Sequence, residues 1–358
     1  AAAARAKNIY GGEEPPAPQG AGGLAAHGAL GGERRGGASE PLEGALGRRL
    51  AETALCPEDV RAAQACLGEL ARATTAQLGS GWRVRPFGSI SNGFATHSSD
   101  LDATCCRDPA AAAGARQPDS DSHTMLEDMV SALQEHPQFQ IVEEVKAARI
   151  PILRMKFAPR AGLTLDVDLS FQNTEPLPNT QLLRAYSALC PRVRDLGILV
   201  KLWAKASGVS GAQHGHLSAY ALTLMVIYFL QVEPDVKLPV LPTELFAGEP
   251  GIPSAARISW PCGLSRADLL CRFFRFFTEE FRWGSEVVSV RLGRRAAAAD
   301  GVYSELRGRF SSRLHVEDPF LTGRNLHCAL KPEQESDLFA KLWEASQALQ
   351  QGALPTGL

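Results

Sequence analysis

The chain has 358 residues, 45% of them hydrophobic and 21% charged, which is enough for an ordinary buried core and more than one domain usually takes. Its formal net charge of -2 excludes a protein that coats nucleic acid by bulk electrostatics, because that mode needs many phosphate-neutralising lysines and arginines. No unbroken apolar stretch approaches the roughly 20 residues of a spanning helix, since the longest, 219–230, is interrupted by Tyr220 and Thr223, and no membrane association is expected.

Residues 1–45 are rich in Ala, Gly, Pro and Glu, lack a helical or strand period, and read as a disordered tail. Arg5, Arg34 and Arg35 hint at an organelle transit peptide, but Glu13, Glu14, Glu33 and Glu40 contradict its acid-poor composition. Eight cysteines without a CxxC pair or a histidine at zinc spacing point to reduced thiols. An intracellular, cytoplasmic setting is expected, with an organelle as the alternative. Over 46–78 the apolar spacing predicts two helices, with Pro57 at a helix start. A strand over 82–87 runs into Gly88-Ser89, and Ser91, Asn92 and Gly93 are turn and cap types. Strands over 101–105, 139–145, 152–157 and 163–171, with an amphipathic helix over 125–133, complete a mixed α/β (α+β) sheet domain assigned to 46–172. Helical stretches then follow over 181–189, 193–207, 217–231, 266–282 and 338–349, with Pro234, Pro239 and Pro242 in connections, and define a second, mainly helical domain over 173–350.

The most informative pattern is Gly88-Ser89, ten intervening residues, then Asp100-Leu101-Asp102. Residues two apart in a strand point to one side, so both carboxylates are expected on one face, where they repel unless a cation sits between them. Hard divalent ions with oxygen ligands, Mg²⁺ or Mn²⁺, answer that need. The preceding glycine lets backbone approach phosphate, and the Ser89 hydroxyl and helix amides can donate to it. A third carboxylate is expected from the strand over 163–171, where Asp166 and Asp168 share a face and alternation alone does not choose between them.

In this order the motifs resemble the DNA-polymerase-β-like nucleotidyltransferases, specifically the terminal uridylyltransferases and the cytoplasmic and mitochondrial type poly(A) polymerases. The resemblance runs through Phe87-Gly88-Ser89, Asp100-Leu101-Asp102, Ala148-Arg149-Ile150-Pro151, Asp168-Leu169-Ser170-Phe171, Pro178-Asn179-Thr180, the segment from Leu199 to Lys205, Leu217-Ser218-Ala219-Tyr220 and Val316-Glu317-Asp318-Pro319-Phe320. It implies a nucleotidyltransferase palm carrying two-metal chemistry on Asp100, Asp102 and Asp168, and a helical domain with a poly(A)-polymerase-associated segment. It further implies that Lys201 and Lys205, four apart on one helix face, bind the triphosphate. Tyr220 would stack on the incoming base, and Asn179 would contact the nucleotide. Arg149 could serve RNA or an ordinary surface ion pair.

Two departures leave base choice open. Ser218-Ala219-Tyr220 stands where many uridylyltransferases have Ser-Ser-Tyr, and Arg324 stands where some carry a histidine that excludes purines. Asp318 and Arg324 are expected along the base side of the pocket. The implied reaction is template-independent addition from UTP or ATP to an RNA 3′ end, UTP narrowly favoured because Arg324 donates but cannot accept. The rivals are a superfamily member acting on a small molecule or making 2′-5′ linkages, and a catalytically dead RNA-binding scaffold. Without an RNA-binding module or a strong basic run, RNA is expected to be engaged weakly or through an RNA-binding partner protein.

Overall fold

The computed structural model describes residues 39–107, 121–247, 260–300 and 313–358. A five-stranded sheet lies in the order β1-β2-β5-β4-β3, formed by β1 (Trp82–Phe87), β2 (Leu101–Arg107), β3 (Phe139–Val145), β4 (Ile152–Arg160) and β5 (Leu163–Phe171). Only β2 and β5 pair in parallel; the other neighbours are antiparallel. Alternation along the strands sends Leu101, Ala103, Cys105, Leu153, Met155, Phe157, Val167 and Leu169 to one face. There they pack on helices α2 (Pro57–Leu78) and α4 (Ser122–Leu133) through Cys66, Leu70, Met125 and Met129. The other face keeps the polar residues. A five-residue helix, α3 (Gly88–Asn92), separates β1 from β2.

The second hydrophobic cluster is helical. It gathers α1 (Ser39–Thr53), α5 (Pro176–Leu189), α6 (Pro191–Ala206), α7 (Ala219–Val232), α8 (Arg266–Arg275) and α9 (Pro332–Gln350). Helix α7 is its centre: the run from Ala221 to Gln231 is buried on every side, as expected of a helix apolar around its whole circumference. A short parallel pair, β6 (Val287–Val288) and β7 (His315–Val316), joins this unit. Among the described residues no helix is long and apolar enough to cross a membrane.

Two sequence expectations need correction. The tail assigned to 1–45 overlaps α1, which begins at Ser39, while residues 1–38 lie outside the described part. Leu42, Leu46 and Leu50 recur every fourth residue and make a narrow stripe: the first two are buried and the third packs against them. That stripe joins the helical cluster, so α1 belongs to the second unit although it precedes the sheet. The helix expected over 266–282 also ends early. From Phe276 to Glu280 the chain makes a π turn, and the Phe281 amide bonds to the Phe276 carbonyl five residues back at 2.7 Å. The turn accompanies the burial of Phe273, Phe274, Phe276, Phe277 and Phe281 in one core.

Glu43 anchors α1. Its carboxylate accepts from Arg266 Nη1 at 2.7 Å, Arg192 Nη1 at 3.2 Å and the Ala267 amide at 3.0 Å. Burial pushes its pKa up, but the Ala267 amide and the Arg266 and Arg192 guanidiniums outweigh it and leave the pKa below the ordinary value. A carboxyl lowered on folding stabilises above its unfolded pKa, and that stabilisation disappears as pH falls through the folded value. Glu43→Gln is therefore expected to lose about 1–2 kcal/mol at neutral pH. Urea denaturation should show the gap to wild type closing as pH drops below the ordinary glutamate range.

Candidate functional site

Strand register brings the acids together. The parallel pairing sets Asp102 of β2 directly opposite Asp168 of β5, on the face opposite to α2 and α4. Strand β2 begins at Leu101 as expected, so Asp100 is exposed just before the strand and not within it, where the alternation argument places it. One ligand oxygen from each of Asp100, Asp102 and Asp168 lies within 4.8 Å of the others. Asp166, which alternation left equivalent to Asp168, pairs with Lys156, is exposed, and stands outside the cluster. Asp168 wins because it is the residue that faces Asp102.

Burial pushes the Asp102 carboxyl up to about 8, helped by the charges of Asp100 and Asp168 and opposed by Lys201. Asp168 is raised as well, mainly by burial, with Arg154 opposing and Asp100, Asp166 and Glu143 adding to the rise. Three hard oxygen donors held against their own repulsion fit a hard divalent cation. Two basic side chains already offset part of the charge. Arg154 Nε stands 3.8 Å from Asp168 Oδ2, while its Nη1 donates to Glu143 at 2.7 Å. Lys201 Nζ donates to the Phe94 carbonyl at 2.7 Å. Burial lowers this ammonium to about 8, against the pull of Asp100 and Asp102.

Gly88 has a use the sequence did not disclose. Its φ is +72°, and a Cβ built there would collide with the Asp102 carboxylate, so glycine is required for the acid to sit where it does. Its amide donates to Thr180 Oγ1 at 3.2 Å, which ties the start of α3, and with it Ser89, to α5. Phe94 is bound in turn to α6, where a Cβ at Gly197 would overlap its ring. Lys205, one turn beyond Lys201 on α6, is exposed.

The remaining expected residues gather at the helical side. Ser218 caps α7, its hydroxyl accepting from the Ala221 amide at 3.2 Å, and Tyr220 follows in the first turn. The Tyr220 hydroxyl is buried without a hydrogen-bond partner; burial first and the Asp318 charge second hold its pKa well above normal, opposed by Arg324. Asp318 is 0% exposed: its Oδ1 accepts from the Phe320 amide at 3.0 Å and the Leu321 amide at 3.1 Å, while its Oδ2 has no hydrogen-bond donor. Asn179 Oδ1, in the first turn of α5, is another buried acceptor without a donor. Buried polar atoms are ordinarily satisfied, and these three are atoms that a polar ligand could bond. Arg149 turns out to be paired, its guanidinium forking onto Glu175 at 3.1 and 3.0 Å. Sequence reasoning missed Arg154, Phe94 and Glu175. Thr180 closes the recognised Pro178-Asn179-Thr180 motif without having been given a role there, whereas no local signal marks the other three.

Asp168→Asn is expected to remove Mn²⁺ binding measured by electron paramagnetic resonance without lowering the melting temperature, because it deletes a repelling charge. Asp166→Asn should keep the ion. Loss of the ion from the second variant alone would reverse the assignment.

A family model described as "Poly(A) RNA polymerase, mitochondrial-like, central palm domain" matches residues 46–188, and one described as "Cid1 family poly A polymerase" matches 266–324, together more than half of the chain. Human "Terminal uridylyltransferase 7" is 32% identical over 270 residues, covering 70% of this chain and 17% of that protein. Human "Poly(A) RNA polymerase GLD2" is 32% identical over 278 residues, covering 72% of this chain and 54% of that one. The chain thus spans about half the length of one relative and under a fifth of the other. Among solved structures, Cid1 poly(U) polymerase with MgGTP bound superposes with a TM-score of 0.71 at 23% identity, over 87% of this chain and 95% of that one. A mtPAP mutant in complex with ATPγS gives 0.71 at 21% identity, over 87% and 68%. At those identities the likeness concerns the fold, and it matches a sheet-based palm with a helical unit. By its two family matches and its motifs, the chain belongs to the family of terminal uridylyltransferases and Cid1-type and mitochondrial-type poly(A) RNA polymerases.

Proposed function

We propose that the protein is a template-independent RNA 3′-terminal nucleotidyltransferase that joins a nucleoside monophosphate from UTP, in preference to ATP, to an RNA 3′ hydroxyl. The observation that carries this reading is the convergence of Asp100, Asp102 and Asp168 on the polar sheet face, next to a glycine turn and a half-buried lysine. A dead scaffold has no use for three repelling carboxylates held together. Asp100, Asp102 and Asp168 would hold Mg²⁺ or Mn²⁺, which when bound neutralises the acids and the charge that develops on the transferring phosphoryl group.

The chain's own residues bind and orient. Lys201 has two ammonium hydrogens left after its bond to Phe94, and with Lys205 one turn away it offers positive charge to a triphosphate. The Ser218 oxygen serves the helix cap, which leaves its hydroxyl hydrogen free for phosphate. Tyr220 presents a ring for stacking, which is indifferent to base identity and adds affinity rather than selectivity. Asn179 and Asp318 offer unused acceptors to the sugar or base edge. Arg324 supplies donors that match the carbonyl oxygens of uracil and find no acceptor at the amino group of adenine.

Lys201→Ala is expected to weaken UTP and ATP binding by the same factor, since a phosphate contact is blind to the base; a larger change in the ratio than in either affinity would remove it from the phosphates. The reaction itself is tested by single-turnover addition of each of the four NTPs to one short RNA with Mg²⁺. Wild type should prefer UTP. Arg324→Ala should narrow that preference by a factor on the order of 10, as for one charged hydrogen bond of about 1.5 kcal/mol. A wild-type ATP preference that survives the substitution would make the product a poly(A) tail.

A further inference from the structure

Arg324 stands between two carboxylates that do not belong to the same element. Its backbone is fixed within a tight turn, where its carbonyl accepts from the Asp318 amide at 3.1 Å and its amide donates to the Leu321 carbonyl at 2.7 Å. The position of the guanidinium therefore depends on what its side chain meets. On the inner side is Asp318, fully buried, its Oδ2 4.0 Å from Arg324 Nη1 and without a hydrogen bond, beside the equally unpartnered Tyr220 hydroxyl. On the outer side is Glu175, whose Oε2 accepts from the same Arg324 Nη1 at 3.3 Å.

Glu175 is held from the opposite direction. Arg149, from the turn between β3 and β4, forks onto both of its oxygens, at 3.1 and 3.0 Å, and this planar two-point contact orients the carboxylate. Glu175 is also the residue that leads into α5, one turn before Asn179, and the next residue, Thr180, accepts the amide of Gly88 against Asp102. One helix end therefore connects the acid cluster to the guanidinium.

We propose that Glu175 is a positioning residue for base choice, holding the Arg324 guanidinium at the mouth of the base pocket while Arg149 keeps Glu175 in place. This rests on the reading of Arg324 as the residue that meets the base. Without the Glu175 charge, Arg324 closes on the free Asp318 oxygen, and fewer of its donors remain for a uracil edge. The consequence is a loss of discrimination rather than of chemistry, because nothing in the acid cluster moves. The pair is partly exposed, 43% for Arg324 and 36% for Glu175, so the effect is modest, a shift of about three- to fivefold.

The test is a double-mutant cycle on the full chain with Glu175→Gln, Arg324→Ala and both together, and with Arg149→Ala as an independent variant. Two readouts are taken: kcat and KM for UTP and ATP on a short RNA, and equilibrium binding of non-hydrolysable UTP and ATP analogues. Glu175→Gln is expected to move the UTP:ATP ratio toward unity through KM with kcat nearly constant, and Arg149→Ala to move it the same way by less. In the Arg324→Ala background Glu175→Gln should change the ratio no further. An unchanged ratio in Glu175→Gln, or an equal change in both backgrounds, overturns the proposal. If wild type binds the analogues but extends no RNA, the transferase reading fails, and the binding ratio alone then decides the role of Glu175.

Discussion

Everything in this structure is arranged around three carboxylates that repel one another. Neighbouring strands lie roughly 5 Å apart, so once β2 and β5 pair in parallel with Asp102 opposite Asp168, those two acids are forced together. Asp100 adds a third. The fold tolerates this through specific provisions: a glycine at position 88 that leaves room for the Asp102 carboxylate, Arg154 beside Asp168, and Lys201 delivered from the helical unit. The remaining imbalance is what a divalent cation is suited to remove.

That requirement links the two hydrophobic units. Lys201 reaches the acids from α6 while its ammonium is bonded to the Phe94 carbonyl, and the Phe94 ring occupies the space that Gly197 leaves open on the same helix. Helix α5 makes the second link through Thr180 to Gly88, and Ser187 donates to the Asn92 carbonyl at 2.8 Å. The helical unit therefore cannot shift against the sheet without disturbing the counter-charge of the acid cluster. The arrangement also places Tyr220, Asp318 and Arg324, the residues proposed for the base side, on elements that reach the sheet domain through Glu175 and Arg149.

The elements that were readable in advance are those whose pattern is local. The alternation in β2, β4 and β5, the helical periods of α2, α4 and α6, and the glycine-serine turn before two spaced aspartates all follow from side chains a few residues apart. The start of α1 escaped because Leu42, Leu46 and Leu50 form a stripe one residue wide in a glycine- and alanine-rich context, and its meaning comes from a helical cluster assembled much later in the chain. The π turn at Phe276 escaped because no residue type encodes it: it accompanies the packing of five phenylalanines into one core. Arg149 was ambiguous for a related reason, since its partner Glu175 lies 26 residues further along the chain and nothing between the two marks the contact.

The sequence by itself determined the order of elements, the class of fold and the chemistry of the acidic motif, because periodicity and short-range spacing are sufficient causes of all three. Tertiary structure supplied the reason that Asp168 rather than Asp166 completes the cluster, and it set Gly88 against Asp102, Lys201 near the acids and Glu175 between Arg149 and Arg324. Those answers depend on register between strands and on contacts between residues distant in the chain. Asp166 and Asp168 are equivalent by strand alternation, and the Asp168-Leu169-Ser170-Phe171 motif favours the second only by resemblance; the pairing of β5 with β2 gives the physical reason, since it sets Asp168 against Asp102 and leaves Asp166 in solvent.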